Sequence, residues 1–154
     1  MIAMSTPSFT IRRALPGDRD AIAAHNAAMA LETEGLTLDP AKLLPGVDGL
    51  FNRPEFGYYL VAVADGVVVG QTMITYEWSD WRNGPFYWIQ SVFVLPEWRA
   101  KGVFRALHAR VAQDAREAGA VGLRLYVERE NVKAQAVYTA LGWELTHYQM
   151  WERK

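Results

Sequence analysis

The stretch from Trp88 to Leu107 constrains the fold of this chain more than any other. Its residues up to Val94 predict a buried strand, Pro96 marks a turn, and the basic loop that follows closes at Gly102, where a helix begins. Unpaired backbone N–H groups and the positive end of the helix dipole converge at such a corner, which favours a bound phosphate. Formal positive charge is added by Arg99, Lys101 and Arg105. The stretch therefore predicts a cradle for a pyrophosphate.

The residues before this stretch predict a strand, two helices and a hairpin. Alternating apolar residues indicate a short strand from Ser8 to Arg13, a helix follows from Pro16 to Gly35, and a second short helix is expected from Pro40 to Leu50. The pair Asp65-Gly66 favours a two-residue type I′ turn, so the strands that flank it should be antiparallel. Those strands run from Tyr58 to Ala64 and from Val67 to Tyr76, and a second reversal from Ser79 to Pro85 leads into the Trp88 strand.

After the cradle, the pattern predicts helix, strand, helix and strand. Apolar residues three and four apart indicate a helix that ends at Gly119, and the next strand alternates from Leu123 to Val127. Because a helix connects them, the Trp88 and Leu123 strands are expected to be parallel, through a right-handed crossover. Asn131 should cap a last helix, which ends at Gly142. The aromatic segment from Trp143 to Trp151 is expected to return as an edge or hairpin strand, and such a strand would suit a homodimer.

Composition limits the class of protein. With 154 residues, 51% of them apolar, and no long linker, residues 1–154 are expected to form one domain. The net charge of −1 gives no reason to expect nucleic acid or an anionic membrane as a partner. No apolar run is long enough to span a bilayer and the amino terminus has no leader pattern, so we expect a soluble cytoplasmic protein. The absence of cysteine excludes disulfides, thiolate metal sites and an acyl-cysteine intermediate, and the three histidines have no ligand-like spacing, so no metal is expected.

Two motifs carry a resemblance to a known family. The loop Arg99-Ala-Lys-Gly102-Val-Phe104 resembles the signature loop of the GNAT acyltransferase superfamily, which binds the pyrophosphate of acetyl-CoA, although Phe104 replaces a small residue. Downstream, Asn131 is followed by Ala three residues on, by Tyr138 and by Gly142 before an aromatic residue, as in that family. The resemblance covers nearly the whole chain. It implies an α/β fold with a mixed, mainly antiparallel sheet and a central, splayed pair of parallel strands flanked by helices.

The resemblance also implies how acetyl-CoA is held. A bulge near Ser91 and Val92 would part the Trp88 strand from the Leu123 strand and free backbone groups for the pantetheine, whereas an unbroken buried strand is the alternative. Tyr138 would stand beside the thioester sulfur as a general acid, unless it only fills a helix–sheet interface. Asn131 would contact the pantetheine or diphosphate arm. The full set of expected cofactor-binding residues is Val92, Phe93, Val94, Arg99, Ala100, Lys101, Gly102, Val103, Phe104, Arg105, Asn131 and Tyr138.

The general base is harder to assign. An alkyl amine is almost entirely protonated at pH 7, so a carboxylate or a water chain must accept its proton. We expect the base among the acids near the splayed end and prefer Glu77, at the end of a core strand, over Asp80, Glu32 and Glu34. Gln90 and Tyr126 could position water. Aromatic residues around the second hairpin could line an acceptor pocket with Glu32 or Glu34 nearby, or could only pair across strands; they are Trp78, Trp81, Phe86 and Trp88. The expected acceptor-binding residues are Glu32, Glu34, Trp78 and Gln90.

These observations predict an acetyl-CoA-dependent N-acyltransferase that moves an acetyl group to a primary amine by direct attack in a ternary complex. The acceptor, a small-molecule or peptide amine, is left open. One alternative is a non-catalytic module that binds acyl-CoA as a sensor or regulatory subunit. Another is an α/β domain with no cofactor.

Overall fold

A computed structural model describes residues 8–154 as a five-stranded sheet with helices on both faces. The strand order is β1-β2-β3-β4-β5, in which every neighbouring pair is antiparallel except the parallel pair β4 and β5. The predicted fold class is therefore confirmed. The strands are β1 (Thr10–Arg13), β2 (Gly57–Ala64), β3 (Val67–Ser79), β4 (Gly84–Val94) and β5 (Gly122–Leu125).

Four α-helices cover the sheet, and two short 3-10 turns precede α1 and α3. The helices α1 and α2 pack on one face, while α3 packs on the other face. Their bounds are α1 (Arg19–Glu34), α2 (Pro40–Asn52), α3 (Val103–Glu117) and α4 (Val132–Ala140). Among residues 8–154, no helix is both long enough and apolar enough to span a membrane.

The turns form where the sequence predicts them. Asp65 and Gly66 have φ values of 49° and 76°, as a type I′ turn requires at both central residues. Gly35 has a φ of 61° and ends α1. The side chain of Asn131 accepts a hydrogen bond from the backbone N–H of Ala134 and caps α4.

A buried carboxylate fixes α3 against the sheet. Asp114 accepts hydrogen bonds from the hydroxyl of Tyr58 on β2 at 2.8 Å and from Nε of Arg110 at 2.8 Å. Leu107 and Val111, on the same helix, are each 1% exposed beneath the sheet. Because α3 is held both by this polar contact and by apolar burial, its amino terminus has a fixed position relative to β4.

β4 carries the bulge and the parting that the resemblance implies. Its register with β3 shifts between Ile89 and Ser91, which leaves Gln90 without a Cα partner on β3. Its pairing with β5 ends at Ile89, opposite Leu125, although β4 itself continues to Val94. From Ser91 to Val94, β4 therefore pairs with β3 but not with β5.

The predicted carboxy-terminal strand is wrong. Residues 143–154 contain no helix or strand, and β5 is the edge of the described sheet. Only Trp143 packs on the core, whereas every residue from Glu144 onward is exposed and Leu145 is 102% exposed. The aromatic composition of the segment favours a strand, but an isolated strand is not stable without a partner. From Glu144 onward, the backbone of the segment forms no hydrogen bond with another backbone group of the described residues.

Candidate active site

The loop between β4 and α3 presents backbone amides at the start of α3. Gly102 has a φ of 85°, and no side chain caps the helix that begins after it. The first N–H groups of an α-helix have no partner within the helix, so those of Val103, Phe104 and Arg105 point out of its end. Ala100 has a φ of 60°, an unfavourable conformation for a residue with a side chain. The loop is therefore held in a shape that suits a bound anion at this helix end.

The basic residues of the loop differ in their surroundings. Lys101 and Arg105 are exposed, and Nζ of Lys101 lies 5.4 Å from the ring centroid of Trp98. Arg99 instead donates from Nε to the carbonyl oxygen of Val94 at 3.0 Å and binds both carboxylate oxygens of Glu32 at 2.7 and 2.8 Å. The hydrogen bond from Arg99 holds the pKa of Glu32 below its ordinary value. A predicted cofactor residue and a predicted acceptor residue thus form a bidentate pair.

Tyr138 belongs to a cluster of four aromatic side chains, together with Phe104, His108 and Trp143. Its ring lies 5.9 Å from that of Phe104 and 5.8 Å from that of Trp143, both in edge contacts. His108 stacks on Phe104 and accepts a hydrogen bond on Nε2 from the indole N–H of Trp143 at 2.9 Å. Burial lowers the pKa of His108 and raises the pKa of Tyr138, so both side chains are neutral at pH 7. His108 was not among the predicted site residues, and Trp143 was predicted only as the aromatic residue that follows Gly142. The local signal for the stack was the i, i+4 spacing of Phe104 and His108.

Phe104 occupies a loop position where the family usually has a small residue, but its side chain packs away from the loop. Its ring is turned toward Tyr138, and its backbone N–H remains part of the first turn of α3. A large side chain is therefore compatible with open amides at this helix end.

Tyr138 also borders the parted segment of β4. A small cavity of about 10 Å³, enough for one water molecule, lies between the sheet, α3 and α4. It is lined by Thr72, Ile89, Val92, Phe104, Leu107, His108, Val111 and Tyr138. The phenol that the resemblance assigns to the thioester sulfur is thus next to the strand that it assigns to the pantetheine.

On the other face, the bulged residue Gln90 joins three strands. Its Nε2 donates to Oγ1 of Thr75 on β3 at 2.7 Å, and its Oε1 accepts from the hydroxyl of Tyr126, just after β5, at 2.8 Å. The rings of Tyr126 and Trp88 lie 5.8 Å apart. These contacts span the sheet where β4 and β5 part, and they fix Gln90 at that point.

Glu77 lies further from the parting than expected. It faces Phe86, where the β4–β5 ladder begins, whereas the ladder ends at Ile89. Its carboxylate accepts a hydrogen bond from Arg124, whose guanidinium lies 3.7 Å from the ring centroid of Phe86. Glu77 and Thr75 are two residues apart on β3 and share a face, so Glu77 continues the polar row that includes Gln90.

A larger open cavity of about 310 Å³ adjoins Glu77. It is lined by Glu77, Trp78, Ser79, Asp80, Trp81, Arg82, Phe86, Arg124 and Tyr148. The expectation that Glu32 or Glu34 lies near these aromatic residues is wrong. Trp78 is opposite Pro85 at the start of β4, whereas Glu32 binds Arg99 beyond its other end, and β4 is eleven residues long.

The remaining candidates have less distinctive surroundings. Asn131 uses its side-chain oxygen to cap α4, which leaves its amide N–H₂ for a ligand. Glu34 is exposed at the end of α1. No group of three or more His, Asp or Glu residues within the described part of the chain could hold a metal ion.

Known proteins resemble this chain in sequence and in fold. A family profile described as "Acetyltransferase (GNAT) family" matches residues 25–143. An aminoglycoside N(6′)-acetyltransferase type 1 from Stenotrophomonas maltophilia is 33% identical over 141 residues, covering 89% of this chain and 87% of the relative. The crystal structure of a possible acetyltransferase from Clostridium difficile 630 has a TM-score of 0.90 and 44% identity, covering 95% and 97% of the two chains. An aminoglycoside N-acetyltransferase in complex with CoA has the same fold, with a TM-score of 0.80 at 20% identity and coverage of 100% and 99%.

Proposed function

This chain belongs to the acetyltransferase (GNAT) family, whose members use acetyl-CoA, and from that premise we propose that it transfers an acetyl group to a primary amine of a small molecule. The transfer is a direct attack by the amine within a ternary complex. The chain contains no cysteine on which the acetyl group could rest, which supports direct transfer.

One observation carries this proposal: β4 and β5 part between the open amino terminus of α3 and the phenol of Tyr138. The helix end suits a diphosphate, and the backbone groups of Val92 and the N–H of Val94, which face away from β3, suit the amides of a pantetheine arm. The residues thus fit an acyl-CoA from its phosphates to its thioester.

Different residues of the chain bind the cofactor and donate the proton in the reaction. Acetyl-CoA, when bound, supplies a thioester whose carbonyl carbon the amine attacks. The amides from Gly102 to Arg105, with Lys101 and Arg105, hold its negative charge. Tyr138 donates its phenolic proton to the sulfur as the carbon–sulfur bond breaks. Burial raises the pKa of Tyr138, which keeps this proton in place at neutral pH.

The proton of the amine leaves on the opposite face of the sheet. Gln90 lies at the parting and is hydrogen-bonded to Thr75 and Tyr126, so it can position a water molecule beside the incoming amine. Glu77 is the base at the end of this row, and it receives the proton through water because it lies beyond Thr75. The ion pair with Arg124 keeps the carboxylate of Glu77 in one orientation.

The acceptor is a small molecule in which the positive charge of the amine is balanced by a negative group. The larger cavity contains two carboxylates, Glu77 and Asp80, and two guanidinium groups, Arg82 and Arg124. A strongly polycationic acceptor would need an excess of acidic groups, whereas an acceptor that has both an amine and a carboxylate matches this set. The name of the relative from Stenotrophomonas supports an aminoglycoside as the competing acceptor class.

A thiol-release assay with acetyl-CoA tests the function. The amines to compare are an aminoglycoside, a diamine, lysine and a short peptide, each at matched concentration. Turnover with at least one small amine, and with lysine above the diamine, is expected. Turnover with the peptide alone would contradict the proposal.

Two binding measurements, used together with this assay, separate the rival functions. A non-catalytic acyl-CoA sensor would bind CoA in calorimetry but release no thiol with any amine. A domain with no cofactor would show no rise in melting temperature at millimolar CoA, because a ligand that binds only the native state must stabilise it.

A further inference from the structure

The helix that carries Tyr138 is weakly anchored. Among the α-helices of the described chain, α4 is the one that contains no buried residue. Burial raises the pKa of the Tyr138 phenol, and no hydrogen bond within residues 8–154 contributes to that shift. The position of the phenol therefore depends on packing, although the proposed proton donation needs the phenol beside the thioester sulfur. Groups outside α4 have to fix it there.

The end of α4 joins Tyr138 to Trp143. Gly142 has a φ of 89°, and its N–H donates to the carbonyl oxygen of Thr139 at 3.0 Å. The N–H of Trp143 donates to the carbonyl oxygen of Tyr138 at 3.0 Å. These two hydrogen bonds form a Schellman motif, which is often accompanied by an apolar contact between its outer residues. Here that contact is the edge-on pair of the Tyr138 and Trp143 rings, 5.8 Å apart, so the two side chains form one unit at the helix end.

His108 attaches this unit to α3. The indole N–H of Trp143 donates to Nε2 of His108 at 2.9 Å. Within the described chain, no other hydrogen bond joins residues 132–143 to α3 or to the sheet. An indole N–H can only donate, so Nε2 carries no proton and His108 accepts as the neutral tautomer with its proton on Nδ1. Burial lowers the pKa of His108, which favours this neutral form.

The same helix supplies the other ring that packs on Tyr138. Phe104 lies one helical turn before His108, and their rings stack with centroids 6.3 Å apart. The ring of Phe104 then meets that of Tyr138 edge-on at 5.9 Å. His108 thus contacts both aromatic neighbours of Tyr138, Phe104 by stacking and Trp143 by a hydrogen bond. Because α3 begins at the proposed phosphate corner, these contacts fix the phenol relative to the cofactor site.

We propose that His108 is a positioning residue for the reaction: by accepting the indole N–H of Trp143, it holds the phenol of Tyr138 where the thioester sulfur departs. His108 acts through Trp143 and Phe104 and takes no part in the proton transfer. Without the bond, a buried indole N–H would lack an acceptor and the end of α4 would shift. A displacement of a reacting group by about 1 Å can lower a rate by about 100-fold. The inference rests on the proposed function for the role of the phenol, whereas the contact itself can be measured without the reaction.

Two substitutions of His108 distinguish a hydrogen-bond acceptor from a side chain that only fills space. His108→Leu removes the acceptor and keeps an apolar side chain, whereas His108→Gln keeps an oxygen that can accept from the indole. We expect His108→Leu to lower kcat by at least about 10-fold and to change CoA affinity by less than about 2-fold. His108→Gln should recover most of the lost kcat.

A double variant tests whether the effect passes through Trp143. Trp143→Phe alone should lower kcat about as much as His108→Leu, and the two changes combined should add little, because both remove the same hydrogen bond. Normal kcat in His108→Leu, equal losses in the Leu and Gln variants, or additive losses in the double variant would overturn the proposal.

Nuclear magnetic resonance follows the same contact without turnover. The indole N–H signal of Trp143, identified by its loss in Trp143→Phe, should exchange with solvent at least about 10-fold faster in His108→Leu than in the unmodified protein or in His108→Gln. The ring signals of Tyr138, identified with Tyr138→Phe, should shift in His108→Leu because the neighbouring rings move. Unchanged Tyr138 signals in His108→Leu would refute the positioning role.

A second buried histidine provides the control. His25→Leu removes a hydrogen bond of 3.0 Å to Gln71 on the opposite face of the sheet, so it should leave the Trp143 and Tyr138 signals unchanged. A shift of the Tyr138 signals in this variant as large as in His108→Leu would show a general response to lost burial and would contradict the proposal. Absence of turnover in the unmodified protein would refute the proposed function instead, and the magnetic resonance result would still decide whether His108 fixes Tyr138.

Discussion

The two sides of the parted strand β4 are built from different chemical groups. Toward α3, the site consists mainly of main-chain amides, whose directions are set by the backbone at Gly102 and by the loss of pairing after Ile89. Toward the opposite face, it consists of side chains that bind one another, such as Gln90 with Tyr126 and Glu77 with Arg124. Main-chain recognition changes little with side-chain identity, whereas side-chain recognition can be altered by one substitution. The first side suits a constant cofactor and the second a variable acceptor.

The strongest test of this comparison is a substitution that changes the backbone on the cofactor side. Gly102→Val should lower the affinity for CoA by more than about 100-fold, because it removes two or more charge-assisted hydrogen bonds of about 1.5 to 3 kcal/mol each. The position is otherwise open, and a φ of 85° strains any branched side chain. Calorimetry with CoA measures the loss.

A matched glycine controls for strain. Gly119→Val at a φ of 69°, which is equally open, should destabilise the protein by a similar amount and leave CoA affinity unchanged. Unchanged affinity in Gly102→Val would show that the amides of this corner do not hold the phosphates.

Tyr138→Phe is expected to have the next largest effect, in kcat rather than in cofactor binding. Loss of a general acid should lower kcat by about 100-fold, at the lower end of the usual range. Because burial raises the pKa of Tyr138, kcat of the unmodified enzyme should not fall through deprotonation of this phenol below about pH 10. Tyr59→Phe, buried on the other face, is the control. A Tyr138→Phe enzyme with normal kcat would leave this tyrosine only a packing role.

A smaller effect is expected on the acceptor side. Glu77→Gln should lower kcat/KM for the amine by about 10-fold, since water can replace part of the function of a base, and CoA affinity should stay constant. Arg124→Gln, which removes the partner and keeps the carboxylate, should have a weaker effect on the rate. If both substitutions change CoA affinity as much as turnover, the two sides are not separable and the comparison fails.

The smallest effect concerns the ion pair that joins the two sides. Arg99 and Glu32 are 43% and 48% exposed, so their pairing contributes no more than about 1 kcal/mol. Glu32→Gln should therefore raise CoA affinity by up to about 5-fold, because it frees Arg99 for the phosphates. Arg99→Gln should lower it by a similar factor. Titration of both variants and the double variant measures the coupling, and a decrease in Glu32→Gln would mean that the pair itself shapes the loop.

This comparison also explains how much the sequence could predict. The sequence could predict the proposed cofactor side, because a main-chain site needs glycine, proline and apolar residues at fixed spacings. The residues between Pro96 and Gly102 are an example. Hairpins and caps were predicted for the same reason, with Asp65-Gly66 and Asn131 as examples.

The sequence could not predict the contacts of the proposed acceptor side, because they join residues that are far apart in the chain. Nothing local to Glu77 indicates that Arg124 will bind it, and nothing local to Glu32 indicates Arg99. The segment from Trp143 to Trp151 shows a second limit: its aromatic residues predict the tendency to form a strand, but they do not supply the neighbouring strand that it needs.

β4 continues for five residues beyond its last pair with β5, and this has a kinetic consequence. No ladder hydrogen bond between these strands has to break when a thioester arrives, so uptake requires no slow opening step. The observed binding rate should then rise in proportion to CoA concentration, without reaching a plateau. The conformational entropy lost in fixing β4 and β5 apart is lost once, when the chain folds, and not again in each catalytic cycle.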